Sequence, residues 1–512
     1  MLHAAVSDVR NVRIFIALFI LANAVFLFSM PLFPFIDLPN HLAEATIYRF
    51  YGEEGNVLEN YYKPTPWYFP NTFHTVFCSL FPNVELGNKL FHLLCIVLLQ
   101  VSMFMVIRQL NGNLWYGLLG SLFTYNYNLT YGFVGFAISI PILILLFYLV
   151  IRDFEKNTFA LKVAIAFVMI LLFLMHAQNA LFGLMLFGFL TLYRFRTSLR
   201  ELILRGLLIP LPLIVLILTW WFTRGGEKEG STSGYLFQYY KEHYFPDFLM
   251  RFRIVVFDNF QLREGLPGLI IAAALFALIF IPILWFKPWK TKSALSLLLP
   301  GYAYSLIFFL TGFICYMILP DQLPGQSPLF QRFCTIVMLS FIIFASVWLN
   351  HVNVNALRYF VTASVVVYSL LWFEYIYSFN KINKEFNASL FAGIPNSSRM
   401  AGLIYDHKYR GRKVYIHYPN YFVVWNRGVA ASKIIDYRFG VVRRVALESE
   451  VPFYTEYIGD GYKAIDAYKK LEYLLVKGAA PVAADQNLLG FTLLRKSGDW
   501  KVYQRSDQYR SR

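Results

Sequence analysis

Apolar runs long enough to cross a bilayer recur along this chain as far as about residue 377, separated for the most part by short connections rich in Lys and Arg. Such runs leave few folding choices. Backbone polar groups in hydrocarbon must be satisfied internally, which means helices or closed barrels. The run Ile14–Met30 carries one polar side chain of consequence, Asn23. Hydropathy and periodicity predict about eleven helical spans, at roughly 14–31, 88–107, 113–127, 132–151, 160–175, 177–193, 204–222, 266–286, 294–319, 331–350 and 357–377. Composition agrees. A mean hydropathy of +0.50, 58% hydrophobic residues, 51 Phe and only 15% charged residues belong to a polytopic α-helical membrane protein.

Orientation follows from the short connections. With the N-terminus inside, Arg10, Arg13, Arg108, Arg152, Lys156, Lys162, Arg194, Arg196, Arg200, Arg205, Lys287, Lys290, Lys292 and Arg358 fall on one side. The opposite turns, near 128–131 and at 176, carry neither Lys nor Arg. The connections on the inner side are all short, so segments 32–87, 223–265, 320–330 and the tail are expected outside. The net charge of +16 is read against phospholipid headgroups and lipid phosphates. No nucleic-acid partner is expected, because the basic residues flank apolar helices and form no single stripe.

Ser29-Met30-Pro31-Leu32 offers no small-x-small cleavage site, so the first run reads as an uncleaved span. Residues 1–379 are therefore expected to form a transmembrane domain and 380–512 a small soluble α/β domain. In that tail, Val414–Tyr418 alternates like a strand, 461–471 has helical spacing and Glu472–Lys477 suggests a second strand. Phe491–Tyr503 reads as a hairpin turning at Ser497-Gly498-Asp499. Cys78, Cys95, Cys315 and Cys334 lack metal-type spacing, and the tail has no cysteine.

The segment Phe33-Pro34-Phe35-Ile36-Asp37-Leu38-Pro39-Asn40-His41-Leu42-Ala43-Glu44 directly follows the first span. It puts several titratable groups where membrane meets water. Asp37 can cap a helix starting near Pro39, and on that helix His41 and Glu44 share a face. Two readings of Asp37 stay open, a plain N-cap and a reactive carboxylate.

Asp37-Leu38-Pro39-Asn40-His41 at the head of the first outer loop resembles the GT-C superfamily of membrane glycosyltransferases, bacterial members in particular. The turn Tyr125–Phe136 and the closing Gly498-Asp499-Trp500-Lys501-Val502-Tyr503 add to the resemblance, as does the pattern of long outer loops and short basic inner ones. The resemblance implies an enzyme of the cell (inner or plasma) membrane that moves a sugar from a polyprenyl-phosphate donor to a lipid, glycan or protein acceptor outside the cytoplasm. Only Asp37 transfers as a catalytic position. Many members carry two adjacent acids there, whereas this chain has one Asp with Glu44 further along, so a divalent metal stays open but unsupported by the residues, and no cofactor is assigned.

Such chemistry needs a carboxylate to take the acceptor proton and cations near the leaving phosphate. Asp37, with His41 and Glu44, is the catalytic candidate. Arg332, His176 and Arg263 are the candidates for binding substrate. Arg332 opens a span behind a Pro- and Gly-rich loop, where a guanidinium can present a fork to phosphate or simply snorkel. His176 lies at an outer turn, where a polar side chain needs a wet cavity or a partner. Arg263 stands beside Glu264. Arg251 and Arg253 suggest an interfacial amphipathic segment. Tyr239, Tyr240, His243 and Tyr244 have the character of interfacial aromatics that could stack on sugar or isoprene. His92 and Gln100 read as interhelical hydrogen-bonding groups.

No Walker-type loop, dinucleotide fingerprint or Cys/His cluster is present in the sequence. The rival reading is a transporter or flippase of a lipid-linked or small solute, which would predict internal repeats and mid-membrane ionisable groups.

Overall fold

A computed structural model describes residues 2–223, 236, 238–260, 262–290, 300–323, 327–352, 355–431, 441–445, 471–478, 488 and 490–506. The chain divides into two compact units. One comprises Met1–Leu27, His92–Leu129 and Phe133–Phe373. The other comprises Phe28–Phe91, Thr130–Gly132 and Glu374–Arg512. Residues 32–87 thus belong to the same unit as the tail.

The first unit is helical. Among the described residues of the whole chain, seven helices are long and apolar enough to cross a membrane: Val9–Ser29, Val84–Gln109, Val134–Lys156, Leu266–Phe286, Pro300–Ile318, Phe330–Trp348 and Asn355–Ile382. Leu199–Leu208 and Leu211–Thr223 make an eighth if taken together across their 44° bend. Pro210 sits at that break, where its missing N–H interrupts the helical ladder. The chain is a multi-spanning helical membrane protein.

The expected span at 113–127 is not one long helix. Asn113 caps a short turn by accepting from the Tyr116 N–H at 3.0 Å, and Leu114–Gly117 then passes into a 3-10 helix over Leu118–Phe123. Gly117 and Gly120 weaken helix propensity there and press closely on Ile107 and Met103. Phe159–Met175 is apolar but shorter than a full span. Gln100 is an interhelical partner as expected, accepting from Ser121 Oγ at 2.7 Å.

The segment around Arg251 departs from the interfacial expectation. Arg251 is fully buried and donates to the carbonyls of Tyr316 and of Leu319 (2.8 Å for the latter) and to Tyr239 Oη at 2.9 Å. Its guanidinium lies 3.8 Å from the Phe330 ring centroid. The last carbonyls of the helix Pro300–Ile318 have no intrahelical donors, and Arg251 supplies them. Tyr239, expected as an interfacial stacking residue, is buried in the same network, and its hydroxyl also donates to Asp247 at 2.9 Å. Arg253 remains exposed.

The second unit is α/β. Its five-stranded mixed sheet has the order β3-β2-β5-β7-β6, with β2 at Arg399–Ile404, β3 at Val429–Ala430, β5 at Tyr473–Lys477, β6 at Phe491–Ser497 and β7 at Trp500–Arg505. β2 runs parallel to β3 and β5, while β7 is antiparallel to β5 and β6. The hairpin β6–β7 turns where the sequence puts Gly498, whose φ of 57° suits glycine. A separate ladder pairs β1, Tyr62–Pro64, with β4, Val442–Arg444. Ala43, Ile47, Leu58 and Tyr62 from the first loop join Ala401, Leu403, Val423, Leu474 and Val476 in one core, so loop and tail fold as one body. The expected helix 461–471 lies outside the described residues, apart from Leu471.

The expected strand Val414–Tyr418 is a turn. Tyr418 N–H donates to the Tyr415 carbonyl at 3.1 Å, and Tyr418–Asn420 is a 3-10 turn with Pro419 in its opening position. Proline cannot supply a ladder N–H, and the Asn420 N–H closes back on the His417 carbonyl at 3.1 Å.

Candidate functional site

The helix Leu38–Phe50 begins at Asp37 with Pro39 in its first turn, as the sequence predicts. The Asp37 side chain, however, makes no capping hydrogen bond, so the cap role read from its position does not hold. Its backbone is α-like (φ −88°, ψ −1°), not the extended conformation typical of an N-cap, which turns the carboxylate away from the free amides.

The carboxylate faces a histidine from the far end of the chain. Asp37 Oδ1 lies 3.3 Å from His417 Nε2, with the His417 side chain fully buried and that of Asp37 18% exposed. The turn that replaces the expected strand is what brings His417 here. Beside it, Asn420 donates to the side-chain carbonyl of buried Asn40, tying the same turn to the same helix.

A third segment closes the site. The Ile36 and Asp37 N–H groups donate to the carbonyls of Thr130 and Tyr131 at 3.2 and 3.1 Å. Gly132 follows with φ 103°, and a Cβ there would stand 2.5 Å from the Asp37 nitrogen and 2.7 Å from its Cβ. Only glycine permits both the conformation and the approach. Arg412 donates to Thr130 Oγ1 at 2.9 Å and anchors this strip to the tail.

His41 and Glu44 meet as expected, His41 Nδ1 lying 3.1 Å from Glu44 Oε2. Glu44 is buried, while the His41 side chain keeps 28% of its exposure. Burial draws the His41 imidazole toward neutrality, but the Glu44 hydrogen bond and charge, the nearby Asp37 charge and a hydrogen bond to the Gly132 backbone outweigh it. The net result is a pKa above the ordinary 6.5. His74 packs edge-on to His41 at 5.6 Å between ring centroids and lies 3.1 Å from Asn88 Oδ1 through Nε2, buried in this unit.

A raised histidine pKa stabilises the fold fully below the unfolded value near 6.5, and that contribution disappears as pH climbs through the folded value. Glu44→Gln removes the partner. The melting-temperature gap between wild type and Glu44→Gln is therefore expected to be widest between about pH 5 and 6.5 and to narrow at higher pH. Thermal unfolding of both proteins from acid to alkaline pH checks this; a gap that widens with pH would refute the pairing.

In the helical unit Arg332 and His176 come together. Arg332 Nη1 lies 2.8 Å from His176 Nε2, and its guanidinium stands 4.1 Å from the Phe133 ring centroid. Guanidinium nitrogens only donate, so Nε2 must accept and the imidazole is the neutral Nδ1–H tautomer. That buried Nδ1 has no partner among the described residues. Asn128 Nδ2 donates to the Arg332 carbonyl at 2.9 Å and fixes its backbone. Arg263 is exposed next to Glu264 and joins neither cluster.

Sequence reasoning missed His417, Asn420 and the steric role of Gly132. The signal for the first two was a His and an Asn flanking Pro419 among aromatic residues, a polar insertion that a half-buried strand would not carry. Among the described residues no three His, Cys, Asp or Glu side chains are grouped so as to hold a metal ion. No protein-family model matches the chain, and no curated protein sequence matches it either. Fold and site together define a multi-pass membrane protein whose α/β unit carries a partly exposed Asp–His pair.

Proposed function

We propose that this protein is an integral membrane glycosyltransferase that moves a sugar from a polyprenyl-phosphate donor to an extracytoplasmic acceptor, with Asp37 as general base. The observation that carries the reading is the Asp37 carboxylate: partly exposed, unused as a helix cap, and set 3.3 Å from a buried histidine. A carboxylate held this way has its position prepared for a substrate proton. In this reading about eleven spans cross the membrane, the N-terminus is cytoplasmic and residues 380–512 lie outside.

The reaction balances simply. The acceptor hydroxyl oxygen bonds to the anomeric carbon, its proton passes to Asp37, and the anomeric carbon–oxygen bond to phosphate breaks. Polyprenyl phosphate leaves with the electron pair. One displacement with one base inverts the anomeric centre. His41, paired with Glu44, stands near the base, and His417 orients the carboxylate. Arg332, with His176 as its neighbour, is assigned to the donor phosphate through charge-assisted hydrogen bonds.

Membranes containing the protein, supplied with radiolabelled polyprenyl-phosphate sugars, test the proposal. Label is expected to reach an acceptor in wild type and not in an Asp37 variant. Movement of labelled lipid across the membrane with no transfer would instead identify a transporter.

A further inference from the structure

At the end of the helical unit where the helix Leu2–Ser29 begins, a cavity of about 610 Å³ is lined by Arg13, Arg108 and Arg152. The three come from different helices: Arg13 lies about three turns into Leu2–Ser29, and Arg108 and Arg152 lie in the last turns of Val84–Gln109 and Val134–Lys156. Glu155 is the single acid in the lining. Gln109 occupies it, donating from Nε2 to Glu155 Oε2 at 2.6 Å, and accepts through Oε1 from Arg152 Nη1 at 3.3 Å. The glutamine thus stands between acid and arginine, and among the described residues none of the three arginines makes an ion pair. Aromatic rings steady two of them, Phe104 at 5.5 Å from the Arg13 guanidinium carbon and Tyr148 at 5.9 Å from that of Arg152. Rings held this way leave guanidinium N–H groups for an anion.

The surroundings specify what kind of anion. Phe104 and Met105 form an apolar part of the lining, and along the same helices Ile14, Leu18 and Val101 are exposed as bilayer-facing side chains would be. A ligand seated here meets positive charge at its head and hydrocarbon along its tail. A neighbouring cavity of about 240 Å³ shares Gln109, Asn111 and Glu155 and adds Tyr302, Tyr304 and Asn350, groups suited to headgroup hydroxyls.

We infer that this cavity binds the phosphate head of an anionic membrane lipid. Basic pockets between helices at the membrane surface hold such headgroups through several arginines acting on one phosphate. Phosphate is the shared chemistry. The apolar flank favours the lipid form over a soluble one.

Full-length protein in detergent, given equal amounts of phosphatidylglycerol and phosphatidylcholine, is examined by native mass spectrometry. Wild type is expected to retain phosphatidylglycerol at least about tenfold over phosphatidylcholine, and the R13Q/R108Q/R152Q protein to lose that preference. Arg10→Gln removes a charge from the same helix outside the lining and should keep it. Should the triple variant not fold, Arg108→Gln alone, an exposed side chain near a helix end, is expected to reduce the preference. Equal retention of both lipids by wild type, or an unchanged preference in the arginine variants, would overturn the inference. So would displacement of phosphatidylglycerol by millimolar inorganic phosphate, which would mark a site for free anion.

Discussion

Asp37→Asn is expected to leave a folded protein whose sugar transfer falls by at least about a hundredfold, the usual worth of a positioned base. Asparagine keeps the side chain's shape and its place beside His417, but it cannot take a proton from an acceptor. The fold gives this test unusual clarity. Had Asp37 been a helix cap, asparagine would serve almost equally well and the substitution would be silent. The side chain makes no cap, so any loss reports on the carboxylate's charge. Purified variants assayed for transfer at several donor concentrations, with melting curves alongside, decide the matter. Turnover near that of wild type would remove Asp37 as the base.

The second large effect is expected at Gly132. Gly132→Ala imposes a positive φ on a residue with a Cβ, at about 1–3 kcal/mol, and drives that Cβ to 2.5 Å from the Asp37 nitrogen. Backbone, not a flexible side-chain tip, stands in the way, so the loop bearing Asp37 must move. Gly52 provides the control. Its φ is 80°, yet nothing lies within 4 Å of a Cβ placed there. Gly52→Ala should show the conformational cost alone, with transfer unchanged. Gly132→Ala should melt lower than Gly52→Ala and lose transfer as well. Comparable melting temperatures and full transfer in both variants would show that the close approach does not matter.

Much of the membrane part was legible because hydropathy is a summed property and tolerates local error. Eight of the expected spans have counterparts, counting the bent pair as one. The stretch 113–127 was misread because its glycines favour close packing and a 3-10 path over a long helix, which average hydropathy does not register. In the tail, the hairpin 491–503 was readable from its own turn residues. The strand Arg399–Ile404 was not anticipated, since its place in the sheet comes from parallel pairing with distant Tyr473–Lys477. The site divides along the same line. His41 and Glu44 are neighbours on one helix, so spacing alone paired them. His417 reaches Asp37 only through tertiary structure, and Val414–Tyr418 alternates well enough to pass for a strand until Pro419 is given its full weight.

The second unit is assembled from three separated stretches of chain, 28–91, 130–132 and 374–512. That arrangement sets a timetable. Asp37 emerges early in synthesis, but His417, Asn420 and the strands that share a core with its helix are made only after the intervening helices. Until then the early loop exposes Ala43, Ile47, Leu58 and Tyr62 without their later partners. Long-range pairing of this kind is slow and leaves apolar surface uncovered for its duration. A nascent chain interrupted before about residue 470 would therefore carry Asp37 without a finished sheet, so the α/β unit can be completed only after the membrane helices have been made.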